Sequence, residues 1–470
     1  MTIKAKARPV GREVTAELLV RYDRPGPRYT SYPTAVEFHE GFTADDYEQR
    51  LAAADRLGDA PLSLYLHLPF CEERCLFCGC HVIITKHKEM AAPYLDLLAR
   101  EIQMVADRLP HRRRVAQLHL GGGTPTYYTP AQLTTLLTPL LAAFTPIPGA
   151  ELALEADPRV TTAAHIDALA DLGFNRISFG VQDLTKAVQE AVNRVQSLEQ
   201  TVELIAHARR RGFRGINTDL IYGLPLQTPE TFEKTVDAII AAGVDRAAVY
   251  SFAFVPWVRG HQKKLELDNL PDAATKVALF AIARERFLSA GYEPIGMDHF
   301  ARPDDELTKA KHEGRLRRNF QGYTVIPGDD VLGLGISAIG DVRGAYVQNE
   351  KKLSVYEEMI TAGRLPVARG VMRTKDDEVR LKVIHELMCN FRLDTAAIGQ
   401  EFDIDFNTFF ADDLVLLAEH ERNELVTVTK ERIQATPTGE LFVRNLAMCF
   451  DRYQREKHGA ESKPVFSRTV

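Results

Sequence analysis

The sequence predicts an α/β fold: an open, partial (β/α)6 barrel preceded by an N-terminal arm and followed by a mainly helical domain. Three observations lead there. Between residues 62 and 290, short apolar runs alternate six times with helical periodicities, the rhythm of parallel βα units. Six such units are too few to close an eight-stranded barrel. From about residue 375 the rhythm stops, and helical patterns enclose a single hairpin. A chain of 470 residues has room for this large domain and a smaller one. The boundaries fall at 1–60 for the arm, 61–374 for the α/β domain and 375–470 for the helical one.

The arm has some helical character, but Pro25, Gly26, Pro27 and Pro33 exclude regular helix over that stretch. Strands are expected over 62–68, 116–120, 151–155, 176–181, 215–221 and 247–253. The first following helix, 91–109, repeats Leu95, Leu98, Ile102 and Val105 at helical spacing. The second opens at Thr129 and Pro130, an N-cap followed by proline at the first helical position. Helices over 163–172, up to 211, from Thr228 and over 271–290 complete the series. The last part reads as helices over 376–389, 395–401 and 406–421, a hairpin over 425–436 and a helix over 439–456. Helices with such a wing resemble a winged-helix module. Its richness in Asp and Glu favours a lid or docking role over nucleic-acid binding.

The chemistry concentrates in one loop. Cys71, Cys75, Cys78 and Cys80 fall inside ten residues at the end of the first strand, and the first three read C-x3-C-x2-C. Cys389 and Cys449 stand alone. A chain this long needs no disulfide staple, and core packing rarely gathers four cysteines in one loop. Packed soft thiolates suit an iron–sulfur cluster or zinc. Zinc usually draws ligands from two separated pairs, and no second C-x2-C or H-x3-H pair is present.

In parallel βα sheets the active site lies at the carboxyl ends of the strands. The run GGGTP at 121–125 follows strand two, where glycine lets backbone approach a ligand. Glu155 and Asp157 end strand three, Gln182 ends strand four, Asp219 lies in strand five and Ala253 ends strand six. Glu155 suits an amine or a ribose, and Arg194 suits a carboxylate held in bidentate fashion.

Composition excludes several classes. Net charge is -6, which argues against broad nucleic-acid binding. The first eight residues include no apolar signal region, and the apolar run at 136–144 is far too short to span a membrane. A cytosolic protein is expected, and no coiled-coil stripe argues for an obligate dimer.

The cysteine pattern at a strand end resembles that of radical S-adenosylmethionine (SAM) enzymes. The longer form C-x3-C-x2-C-x-C is similar to the oxygen-independent coproporphyrinogen III oxidase family. The likeness runs along the chain through GPRYTSYPT (26–34), GGGTP (121–125), DLIYGLP (219–225), GMDHFAR (296–302), NFQGY (319–323), MCNF (388–391) and MCF (448–450). It implies a partial (β/α)6 radical SAM barrel. It implies a [4Fe–4S] cluster on Cys71, Cys75 and Cys78, with Cys80 near the active site and off the cluster. Spacing alone leaves Cys80 open as a ligand.

The resemblance further implies that Tyr65, Gly122, Glu155, Ala253 and Ile339 contact SAM bound to the cluster. Phe77, Gly123, Thr124, Gln182, Arg194 and Asp219 would line a second SAM site, whose composition also suits substrate. The arm looks like a cover over the cavity, with Arg28 set to meet a propionate and Tyr29 beside it. His299, Arg302, Asn319, Gln321 and Tyr323 are candidate substrate contacts. The implied reaction is anaerobic oxidative decarboxylation of coproporphyrinogen III to protoporphyrinogen IX, with an electron donor and acceptor that the sequence does not identify. A heme-binding chaperone on the same scaffold is a second reading, but such relatives typically lack the fourth cysteine and the arm. A radical SAM methyltransferase and a zinc-dependent regulator are the remaining ones.

Overall fold

The computed structural model describes residue 18, residues 21–326 and 330–457, and residues 466 and 468. The first eight residues, read above for a signal, lie outside the described residues, as do the outer parts of both terminal segments.

Six strands run parallel in chain order: β1 (Leu62–Leu68), β2 (Arg114–Gly122), β3 (Thr145–Ala156), β4 (Arg176–Gln182), β5 (Gly215–Tyr222) and β6 (Arg246–Ser251). Helices over Ala92–Asp107, Pro130–Ala143, Ala163–Asp171, Leu198–Arg210, Pro229–Ala241 and Ala273–Ser289 connect or follow them. Thr129 caps the second helix by accepting from the Gln132 N–H, with Pro130 at the first position, and Thr228 and Pro229 repeat the device. The stretch up to residue 211, read as continuous helix, breaks into Lys186–Ala191 and Leu198–Arg210.

The sheet is larger than the six units. β7 (Glu293–Gly296) and β8 (His299–Ala301) extend it antiparallel beyond β6. β9 (Val331–Leu334) pairs in parallel with the free edge of β1, and β10 (Ile339–Val342), β11 (Ala345–Asn349) and β12 (Val367–Met372) follow it antiparallel. One sheet of 12 strands results. These additions carry weak local signals because they are short and interrupted by glycine. Gly333 and Gly340 allow β9 and β10 to close on each other: a methyl group at Gly333 would meet the Ile339 carbonyl carbon at 2.6 Å.

The new edge is pinned to β1 by a buried ion pair between Arg112 and Asp330, each 1% exposed at the side chain. Arg112 also donates to the Ala60 carbonyl at 2.9 Å, and the Ser63 N–H donates to the Asp330 carbonyl at 2.9 Å. Such a pair holds because further hydrogen bonds satisfy both ions.

The C-terminal part begins with helix Lys375–Asn390. The stretch read as one helix over 406–421 is Phe406–Phe409 followed by Ala411–Arg422. The wing is real: Val426–Val428 pairs with Arg432–Ala435, and Arg392–Asp394 adds a third strand. Its final helix is broken into Val443–Met448 and Arg452–Lys457. Leu18, Tyr22, Tyr29 and Tyr32 of the arm share the apolar core of these helices. The arm is also hydrogen-bonded there. Arg444 donates to the carbonyls of Pro27 and Gly26, the Tyr29 hydroxyl donates to Asp451 at 2.8 Å, and the Arg452 N–H donates to the Tyr32 hydroxyl at 3.1 Å.

Glu101, on the first crossover helix, is buried and accepts from the Gly335 N–H (2.7 Å), the Tyr356 hydroxyl (2.5 Å) and the Asn349 amide (2.6 Å). Burial outweighs these donors and pushes its carboxyl from 4.5 up to about 7. The folded protein therefore holds this proton more tightly than the unfolded chain. The resulting stability is complete below pH 4.5 and is lost as pH rises through about 7. Urea unfolding of the wild type and Glu101→Gln across that window should show a shallower pH slope in the variant.

Candidate active site

Alternation along β1 turns Leu62, Leu64, Leu66 and Leu68 toward the helices and Ser63, Tyr65 and His67 to the opposite, inner face. Register carries that face across the sheet. Tyr65 is level with His119 and His67 with Gly121. Glu155 is level with Ser178, and Ser178 with Asn217. Asp219 is level with Gly180 on one side and Ala248 on the other, and Ala248 with His299. Parallel sheets are normally apolar on both faces, so this polar inner face marks a site.

The cysteine loop leaves β1 at the carboxyl rim. Cys71 Sγ lies 3.4 Å from the Thr124 hydroxyl, which begins the turn after β2. Cys75 Sγ accepts from Arg159 Nη2 and Arg194 Nη1, both at 3.5 Å. Both guanidiniums are anchored by Asp157, Arg159 at 2.7 Å and Arg194 at 2.9 Å. The Cys80 thiol hydrogen-bonds to Cys78, holding Cys78 below its ordinary range and Cys80 above it. His261 Nε2 bonds the Cys78 carbonyl at 2.9 Å.

This donor set fits an iron–sulfur cluster. Three thiols share one short loop, and two guanidiniums and a hydroxyl meet their sulfurs. Among the described residues no three His, Cys, Asp or Glu side chains converge on a single-ion point. Thiolates on separate irons of one cube need no such convergence.

The other predicted residues fall around the same rim. The Tyr65 hydroxyl bonds His67 Nδ1 at 3.0 Å. Burial pushes His67 down to about 4, so its ring is neutral, and its Nε2 bonds the His81 carbonyl at 3.0 Å. Burial would raise Glu155, but His119 at 3.4 Å and the Gly122 N–H hold it below its ordinary range. Burial, with the nearby Glu155 charge, pushes Asp219 up to about 6, although Ser178 and Asn217 each donate to it at 3.0 Å.

Arg194 reaches the Gly180 carbonyl at 2.5 Å, while its Nε and the Gln182 Oε1 are enclosed without partners. Both side chains crowd Gly180, where a Cβ would meet Gln182 Nε2 at 2.9 Å and Arg194 Nη2 at 3.0 Å. An enclosed polar atom without a partner suits a polar ligand atom. Phe77 packs against the apolar cluster of Val188, Leu224 and Phe252. Ala253 lies just past β6, where Gln262 donates to its carbonyl at 3.0 Å, and Ile339 starts β10.

Arg28 pairs with Asp298 and lies over the Tyr250 ring at 5.3 Å. Tyr29, 1% exposed, is committed to Asp451. Trp257 is half exposed on the rim.

Sequence reasoning passed over His67, His119, Arg159, Tyr250, Asp298 and Arg318. The alternation Tyr65, His67 on β1 was a usable signal for the first of these. Asp298 stands within the run GMDHFAR, whereas nothing local marks Arg318.

A radical SAM superfamily model matches residues 65–239, and a HemN C-terminal domain model matches residues 374–442. These matches and the rim geometry define a radical SAM protein. The oxygen-independent coproporphyrinogen III oxidase of Salmonella typhimurium is 44% identical over 453 residues, covering 96% of this chain and 98% of that one. The enzyme of the same name from Pseudomonas aeruginosa is 43% identical over 440 residues, covering 93% and 95%. The solved structure of coproporphyrinogen III oxidase (HemN) from Escherichia coli, described as a radical SAM enzyme, superposes with a TM-score of 0.88 at 44% identity, covering 93% of this chain and 98% of that one. The chain belongs to the oxygen-independent coproporphyrinogen III oxidase family.

Gly123 gives a direct test of the rim. A Cβ there would meet the Pro69 carbonyl at 2.5 Å and the Phe70 oxygen at 2.7 Å, both backbone atoms with little room to yield. Gly123→Ala should lower unfolding stability by roughly 1–3 kcal/mol, read by urea titration.

Proposed function

We propose that this protein catalyses oxidative decarboxylation of coproporphyrinogen III to protoporphyrinogen IX, converting the ring A and B propionates to vinyl groups, in heme biosynthesis. The observation that carries it is the C-x3-C-x2-C loop at the carboxyl rim, its sulfurs met by Arg159, Arg194 and Thr124, in a chain of this family. Each propionate loses a hydrogen atom from its β-carbon, CO2 and one electron. A [4Fe–4S] cluster with SAM supplies, when bound, the 5′-deoxyadenosyl radical that takes the hydrogen.

The protein's share is to bind, orient and exclude water. Cys71, Cys75 and Cys78 hold the cluster, and Asp157 keeps both guanidiniums aimed at Cys75. Tyr65, Gly122, Glu155, Ala253 and Ile339 contact the cluster-bound SAM. Glu155 is held as a carboxylate, which suits the cationic amine. Phe77, Gly123, Thr124, Gln182, Arg194 and Asp219 line a second SAM position, where the orphan atoms of Gln182 and Arg194 would find partners. Cys80 sits off the cluster beside Cys78. Arg28 closes the cavity from the arm, and Tyr29 anchors that arm to Asp451. Burial would raise the Asp298 carboxyl, but Arg28 and His299 outweigh it and hold it well below its ordinary range, so the ion pair with Arg28 persists at all physiological pH.

The arm (1–60), catalytic domain (61–374) and C-terminal lid (375–470) act as three units in this reading. The enzyme works as a cytoplasmic monomer with an electron donor and an electron acceptor as partners, and with neither nucleic acid nor membrane. No helix among the described residues is long and apolar enough to cross a membrane.

The deciding assay is anaerobic: reconstitute iron and sulfide, then supply SAM, a reductant, an electron acceptor and coproporphyrinogen III. Mass analysis should show loss of two CO2 units, and Cys75→Ser should abolish both iron retention and product. SAM cleavage without decarboxylation would sink the reading. Cys80→Ser should retain the iron content of the wild type, because its sulfur is assigned no iron; loss of iron would make it a ligand.

A further inference from the structure

Arg318 lies in the hairpin formed by Arg317–Asn319 and Gly322–Thr324, outside every role assigned above. The residue is only 6% exposed, yet its Nε and Nη1 have no acceptor. Among the described residues no carboxylate pairs with it. The Tyr323 ring lies 4.7 Å from the guanidinium carbon. A guanidinium does not shed its proton to escape such burial. An enclosed, uncompensated cation is costly, so its persistence calls for an anion that arrives later.

The surroundings point the same way. His385, on helix Lys375–Asn390, has an enclosed Nε2 without a partner. Burial, reinforced by the Arg318 charge, lowers it to about 4, so it stands neutral with an N–H to offer. Nearby, Arg28 is paired with Asp298, and Asp298 also takes a bond from His299 at 2.8 Å.

The cluster of rings connects it to the inner wall of the barrel. The His299 ring meets Tyr323 edge-on at 5.1 Å and Tyr250 at 5.7 Å. His299 is level with Asp219 across β6.

The substrate of the proposed reaction carries four propionates, of which two lose CO2 and two survive. A carboxylate that leaves as CO2 must give up its charge, and tight pairing with a guanidinium would oppose that. Arg318 therefore suits a carboxylate that stays. We propose that Arg318, with His385 beside it, binds a propionate that the reaction leaves intact and thereby orients the tetrapyrrole for attack elsewhere. The inference rests on the coproporphyrinogen reading above.

The test uses reconstituted holoenzyme, with Arg318→Met and Arg318→Lys. Arg318→Met should raise KM for coproporphyrinogen III by roughly tenfold or more with iron content unchanged, and Arg318→Lys should recover part of the loss. Melting curves taken without SAM separate binding from folding. Unliganded Arg318→Met should melt no lower than wild type, because an uncompensated buried charge is gone. The upward shift that coproporphyrinogen III gives the wild type should disappear. A wild-type KM in Arg318→Met overturns the assignment. So does a fall in unliganded melting temperature that Arg318→Lys fully restores, since that marks a structural role. Wild-type enzyme that neither binds nor converts coproporphyrinogen III overturns the functional reading itself, and this assignment with it.

Discussion

A parallel sheet delivers the carboxyl end of every strand to the same rim, and the site depends on that constraint. β1 ends in the cysteine loop, and β2 ends in the glycine turn whose Thr124 hydroxyl reaches Cys71. β3 runs into Asp157, whose carboxylate aims two guanidiniums at Cys75. Glu155, Gly180 and Asp219 follow on the inner face, in register. A change of one residue in any pairing would turn that strand's polar set out toward the helices. The site thus depends on register before it depends on any single side chain.

An open barrel leaves its mouth and one edge exposed, and the chain closes both with distant segments. β9 to β12 extend the sheet beyond β1, locked by the buried Arg112–Asp330 pair. The arm crosses from the other terminus and is held by Arg444, Asp451 and Arg452 of the C-terminal helices. Arg28 is the point where this cover meets the barrel, through Asp298. Arm, barrel and C-terminal helices therefore share one polar junction. Movement of the helical part would draw the arm with it, because Tyr29 and Tyr32 belong to its apolar core.

Charge is distributed in that junction with a consistent logic. Arg112–Asp330 and Arg28–Asp298 are satisfied ion pairs. Arg194 Nε, Gln182 Oε1, Arg318 and His385 are among the described groups with an enclosed polar atom that no protein group meets. Where such atoms face the site, a ligand can supply the missing partner.

Much of this was legible in the chain. The six strands, the proline-started helices and the wing follow from local periodicity and capping residues, which are properties of short windows. The cysteine loop declared itself by spacing, and the rim positions of Glu155, Gln182 and Asp219 followed from strand order. Strands β7 to β12 did not show, because runs of three to six residues, several of them holding glycine, carry too little period to register. Helix 439–456 failed for a related reason: its pattern does not reveal the turn between Met448 and Arg452. The sequence by itself determined which residue types stand at which strand ends, and hence the class of chemistry. Only the tertiary structure decided that Arg28 meets Asp298 across 270 residues and that Tyr29 is spent on Asp451. It alone left Arg318 without an anion. The reason is physical: periodicity and spacing are local, whereas a charge's partner is chosen by register and packing between segments far apart in the chain.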